Sequence, residues 1–170
     1  MTLAILRVDP AGSTLTSSHV IFARICLEAR AFAAALPVLD KEIFYFPPIG
    51  NKIGENNLYP YLCSDHDTGS TFMTPDSGLS AKLDHRDTLQ YFLFGGMIYM
   101  GLKDWKKAFT FLEIALVTPV VGNASKIQVE AYKKWVLVGL LHKGYVSPNF
   151  ITILFKPQDL MMSRSLHLCH

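Results

Sequence analysis

"YFLFGGMIYMGLKDWKKAFTFLEIALVTP", residues 91–119, opens almost as apolar as a membrane segment, then fills with lysines and ends at a proline. The apolar run it belongs to, residues 89–102, covers 14 positions, whereas a membrane-spanning helix needs roughly 20. Spacing gives the better reading. Gly96, Tyr99, Ala108, Leu112 and Ala115 follow the small, aromatic, alanine, large, alanine order of tetratricopeptide repeats. In such repeats the small residues let two antiparallel helices approach, and the large ones fill the space between repeats. One helix is expected to begin near Asp87 or Thr88 and to end at Gly101. A second is expected over residues 104–117, and Pro119 bars its continuation, one position early for such a unit.

The rest of the chain repeats this plan. A shift of 73 residues superposes Ala23 on Gly96, Arg30 on Lys103, Phe32 on Trp105, Ala35 on Ala108, Leu36 on Phe109 and Leu39 on Leu112. The segment around residues 15–44 therefore reads as a hairpin of the same kind. Its first helix is expected over residues 18–29, with Thr16, Ser17 and Ser18 as candidate caps and Val20, Ala23, Ile25, Cys26 and Leu27 on one broad face. Its second is expected over residues 32–42. A shift of 43 residues superposes Gly96 and Gly101 on Gly139 and Gly144, so a third helix reads as the opening half of another hairpin. Ser125 caps it, Gly144 stops it, and Ile127, Ala131, Trp135, Val138 and Leu141 form its apolar seam.

The predicted fold class is therefore all-α: TPR-like antiparallel helical hairpins stacked as a short right-handed α-solenoid, with a long irregular loop and an irregular C-terminal tail. Residues 1–14 are expected as an N-terminal tail, 15–44 as a hairpin repeat, and 83–144 as further repeats. Between them, residues 45–82 are rich in proline and glycine and read as a loop or insertion. After Gly144 the helical grammar is lost; "FITILF" could pair as a strand but stands alone, and residues 145–170 are expected to be irregular. The predicted helix-packing residues are Ala23, Ala35, Leu39, Gly96, Tyr99, Ala108, Leu112, Ala115 and Gly139. A hairpin of this kind cannot bury its apolar face alone, so it presents surface to neighbours rather than a catalytic cleft.

Composition excludes several functions. Half the residues are apolar and 18% charged, with 16 Lys+Arg against 14 Asp+Glu. A net charge of +2 gives no basic stripe for tracking phosphates, so nucleic acid is not an expected partner. Cys26, Cys63 and Cys169 share no metal-ligand spacing, and their odd number suits a reducing compartment. The N-terminal "MTLAILRVDP" lacks a basic leader and is broken at Asp9-Pro10. The expected location is accordingly the nucleus and cytoplasm.

Catalytic, cofactor and metal sites are all predicted to be absent. "SDHD" at residues 64–67 sets a histidine between carboxylates, but in a loop of this composition it reads as solvated polarity. "HRD" at residues 85–87 lacks every companion of a kinase catalytic loop, and the Gly95-Gly96 pair lacks a GxxxxGK[ST] frame. The terminal "HLCH" has no further ligands, and His19 and His142 fall on helical patterns as packing or surface residues. Lys103, Lys106, Lys107, Lys133 and Lys134 form a basic group that is either a solvated helix face or a contact for an acidic partner.

"FGGMIYMGLKDWKKAFTFLEIALVTP" followed by "EAYKKWVLVGLLHKG" resembles subunit 3 of the COP9 signalosome, a PCI-domain family, in its helical-repeat part. "LTSSHVIFARICLEARAFAAALPVLD" is similar to the repeat preceding that block, so the likeness covers residues 15–39 and 91–144, roughly half of the chain. The resemblance implies a non-catalytic scaffold subunit of a hetero-oligomer that removes a ubiquitin-like modifier from cullins and so regulates cullin-RING ubiquitin ligases. Its expected partners are the other signalosome subunits and, indirectly, those ligases, with no membrane and no cofactor. The family pattern continues into a PCI winged helix that is not recognisable here. The alternatives are a truncated, assembly-incompetent fragment, or a helical subunit of a related PCI complex such as the proteasome lid or a translation initiation factor.

Overall fold

Side-chain caps set the starts of most helices in the computed structural model, which describes residues 1–9, 12–45, 78–119 and 125–144. The SDHD and HLCH motifs, Cys63, Cys169, the tail after Gly144 and most of the 45–82 segment lie outside the described residues. Six helices occur among the described residues: α1 (Thr2–Val8), α2 (Ser17–Glu28), α3 (Phe32–Leu39), α4 (His85–Gly101), α5 (Trp105–Val117) and α6 (Lys126–Lys143). The only pairing of β type among those residues is an isolated bridge between Thr14 and Tyr45.

Each of the last three helices begins where a polar side chain can accept an unpaired first-turn amide. Asp84 accepts from the His85 amide at 2.8 Å, while Asp87 accepts from the Asp84 amide at 2.9 Å. The start is thus His85 rather than Asp87 or Thr88, and "HRD" is the first turn of α4, with Asp87 closing its capping box. Asp104 accepts from the Lys107 amide at 3.2 Å. Ser125 accepts from the Ile127 amide at 3.3 Å, and Gln128 reaches back to the Ser125 amide at 3.2 Å. Gly144 ends α6 at φ 72°, a left-handed conformation that glycine adopts without strain.

The 73-residue repeat is visible in the backbone. At the end of α2 the Arg30 amide donates to the Leu27 carbonyl and the Ala31 amide to the Cys26 carbonyl; at the end of α4, Lys103 donates to Met100 and Asp104 to Tyr99. These are two copies of one Schellman closure in the same register. Arg30 and Lys103 both occupy its left-handed position, at φ 54° and 62°. The copies differ in the helix that follows. Asp104 caps α5, whereas Ala31, its counterpart, offers α3 no side-chain cap. With Pro37 removing one amide as well, α3 stops at Leu39, short of the expected residue 42.

The hairpins α2–α3 and α4–α5 stack through α2 and α3 against α4, and α6 packs on α5 and α4. The start of α2 is tied to the segment leading into α4, because the Ser17 amide donates to Ser80 Oγ at 3.2 Å and the Ala81 amide to Ser17 Oγ at 3.0 Å. The core runs continuously through these elements, with Leu15, Ala23, Ala35, Tyr91, Ile98, Tyr99, Leu112 and Val138 almost fully enclosed. Each large side chain so buried contributes roughly 1.5–3 kcal/mol.

Three expectations need correction. The N-terminal segment is not simply a tail: α1 packs on α2 and α3 and buries Ile5. Ile25, placed on the apolar face of α2, is exposed; His19 and Phe22 are buried there instead. Leu141 leaves the seam of α6 and is 61% exposed, while Gly139 joins Ala131, Trp135 and Val138 inside. Both misplacements come from one-residue drift in a 3.6-residue period across a broad apolar surface.

Candidate interaction surface

Two glycines in α4 make the close approach of α5 possible. A methyl group at Gly96 would lie 2.7 Å from Leu112 Cγ, and one at Gly95 would lie 2.5 Å from the Phe111 ring. Phe111 fills this gap and meets the rings of Tyr91, Phe92 and Tyr99 at centroid distances of 6.3, 5.7 and 5.1 Å. Gly101 performs the same service between hairpins. Read from the sequence as a stop signal, it is the last residue of α4, and a methyl group there would lie 2.5 Å from the Phe32 ring of α3. Of the predicted packing residues, Ala23, Ala35, Leu39, Tyr99, Ala108, Leu112, Ala115, Gly96 and Gly139 are all buried.

Beside this seam lies a groove of about 700 Å³, lined by Leu39, Ile43 and Phe44 on one side and Phe92, Phe111 and Ile114 on the other. A polar link crosses one end of it. Asp40 Oδ1 accepts from the Tyr99 hydroxyl at 2.7 Å and from Lys107 Nζ at 2.7 Å, joining the first hairpin to both helices of the second. Burial works to raise the Asp40 pKa, but the bonds from Lys107 and Tyr99 together with the lysine charge outweigh it and hold the carboxyl below its ordinary value. Lys107 is shifted up by its bond to Asp40, and Tyr99 by burial and by the same carboxylate. Side chains nearly half exposed place this ion pair in the range of about 0–1 kcal/mol.

The five predicted partner-binding lysines therefore divide. Lys107 is held by Asp40, and Lys133 and Lys134 both pair with Glu130 on their own helix. Lys103 and Lys106 are exposed and make no ion pair among the described residues. Glu130 was legible beforehand, since it stands three and four residues before the two lysines. Asp40 was not, because its pairing depends on how the hairpins stack.

His19, expected from its helical pattern as a packing or surface residue, does more. Its Nδ1 accepts the Thr16 amide at 3.2 Å and lies 2.8 Å from Thr16 Oγ1, closing the capping box of α2 inside the core. Burial lowers its pKa to about 4, only partly opposed by the Asp9 charge. His142 is exposed at the end of α6, 6.3 Å from the Phe109 ring. Among the described residues no three histidine, cysteine or acidic side chains converge as a metal site, and no described helix is long and apolar enough to cross a membrane.

Glycine seats and a register repeated through two hairpins are the architecture of stacked helical repeats, and comparison with known proteins gives the family. The family described as "COP9 signalosome complex subunit 3, N-terminal helical repeats" matches residues 65–150. The chain belongs to this family. The signalosome subunit 3 of Emericella nidulans is 40% identical over 150 residues, covering 87% of this chain and 29% of the relative. That of Neurospora crassa is 34% identical over 145 residues, with 85% and 28% covered, and that of Drosophila melanogaster 30% over 144 residues, with 85% and 29% covered. The chain thus spans less than a third of the length of these curated relatives. The family match takes in residues 65–82, within the segment read as a loop or insertion, and begins beyond the first hairpin. The three alignments cover too much of the chain to leave the 45–82 segment out entirely.

Proposed function

We propose that this chain acts as a non-catalytic scaffold segment of a COP9 signalosome subunit 3, working in the nucleus and cytoplasm with the other signalosome subunits as its direct partners. Through them it supports removal of the ubiquitin-like modifier from cullins and the regulation of cullin-RING ligases. The observation that carries this reading is the repeated hairpin register, with its glycine seats, in a chain whose relatives are named as one subunit of a complex. A stacked-helix scaffold holds neighbours by surface complementarity and needs no reactive side chains of its own.

The test is fractionation of an extract from its own cells expressing the tagged chain, followed by a deneddylation assay on modified cullin. The chain is expected to elute at the mass of a multi-subunit assembly whose fractions release the modifier, while the purified chain alone releases none. Chelator-sensitive release by the purified chain, or elution only as a free polypeptide, would overturn the proposal.

A further inference from the structure

Arg30 and Lys103 stand at the same point of two successive repeats, and both hold a left-handed backbone position that glycine fills at least cost. Two residues further on, each is followed by a half-buried aromatic ring, Phe32 in the first copy and Trp105 in the second. The two turns adjoin, since a methyl group at Gly101 would touch the Phe32 ring. The end of α6 reaches the same edge: Lys143 Nζ lies 4.1 Å from the centroid of Phe109, one turn beyond Trp105. Arg30, Lys103, Lys106 and Lys143 are all exposed and none makes an ion pair among the described residues. Of the neighbouring acidic groups, Glu28 is paired with Arg24 at 2.8 Å, and Asp104, which accepts from the Lys107 amide at 3.2 Å, leaves a single carboxylate charge among the four cations.

We infer that this edge, formed by the α2–α3 and α4–α5 turns and the end of α6, is a docking surface for an acidic protein segment with interleaved apolar side chains. Cations near helix C-termini also favour the helix dipole. That effect works from any side chain of the last turn, and does not require the cation on the one residue that glycine would occupy more cheaply. Alternating cation and aromatic positions match a segment that alternates carboxylates with apolar side chains. A nucleic acid fits less well, because four cations around a cluster of partly buried rings do not form the continuous basic track that a phosphate backbone follows. The inference does not depend on signalosome membership.

The experiment uses the full chain and a short fluorescein-labelled peptide alternating glutamate and leucine, with binding read by fluorescence anisotropy. The triple variant Arg30→Gly, Lys103→Gly, Lys106→Gln removes the charge while placing glycine where the backbone favours it, so its fold is retained or improved. If it melts early, Arg30→Asn with Lys103→Asn serves instead, because asparagine also tolerates the left-handed position. Loss of three exposed ion pairs is expected to weaken binding by about tenfold. Lys126→Gln, at the opposite end of α6, is expected to leave binding unchanged. Equal binding by the folded variant and wild type, equal binding of a lysine-leucine peptide, or displacement by single-stranded DNA at lower concentration than by unlabelled peptide would each overturn the inference.

Discussion

Lowering the pH should destabilise this fold through one buried histidine. His19 Nδ1 is needed as an acceptor for the Thr16 amide, and its ring is only 2% exposed, so protonation both breaks a capping bond and places a charge in the core. Burial, partly opposed by Asp9, takes the pKa from 6.5 to about 4. Between those values the unfolded chain binds a proton that the folded chain refuses, so stability is fully present above pH 6.5 and falls as pH drops towards 4. At about 1.4 kcal/mol per pH unit, the loss is about 2 kcal/mol at pH 5 and about 3 kcal/mol at pH 4. The depressed Asp40 and Glu130 add little to the slope between pH 7 and 5, since their contributions begin to be lost only as pH falls through their ordinary values of 3.8 and 4.5. The assay is urea unfolding followed by far-UV circular dichroism at several pH values. His19→Gln is the informative variant, because glutamine at this position of a capping box accepts the same amide without titrating. It should match wild type within about 1 kcal/mol at neutral pH and lose the slope between pH 7 and 5. A variant as acid-sensitive as wild type would refute the reasoning.

Gly96→Leu should cost about 3 kcal/mol or more, since even a single methyl group at Gly96 would lie 2.7 Å from Leu112 Cγ; adding Leu112→Ala should recover part of the loss in a double-mutant cycle. Lys103→Gly should raise stability by about 1 kcal/mol by relieving a left-handed lysine at φ 62°, a gain visible as a higher urea midpoint at unchanged slope. Tyr91→Phe should stabilise by about 1 kcal/mol in thermal melts, because the buried tyrosine hydroxyl has no hydrogen-bond partner among the described residues.

The helices were legible because their signals are local. Asp104, Ser125 and Gly144 mark termini by residue chemistry alone, and the superposition of Ala23 on Gly96 survives as a shared backbone closure. What stayed hidden depends on contacts between distant segments. Asp40 meets Lys107 and Tyr99 only because the hairpins stack, and Gly101 looks like a stop signal until Phe32 is set against it. The burial of His19 follows from α1 and α4 closing over the start of α2, which no pattern within α2 announces. The alignment of Arg30 with Lys103 was visible in the text, but their common left-handed backbone was not, since neither residue type favours it.

Affinity capture of the tagged chain from an extract of its own cells, with mass spectrometry of the co-purifying proteins, tests the scaffold account most directly when run beside the Gly96→Leu variant. Wild type is expected to recover the other signalosome subunits, and the variant, with α4 and α5 forced apart, to lose them. Recovery of chaperones alone by wild type, or of the same subunits by both chains, would contradict it.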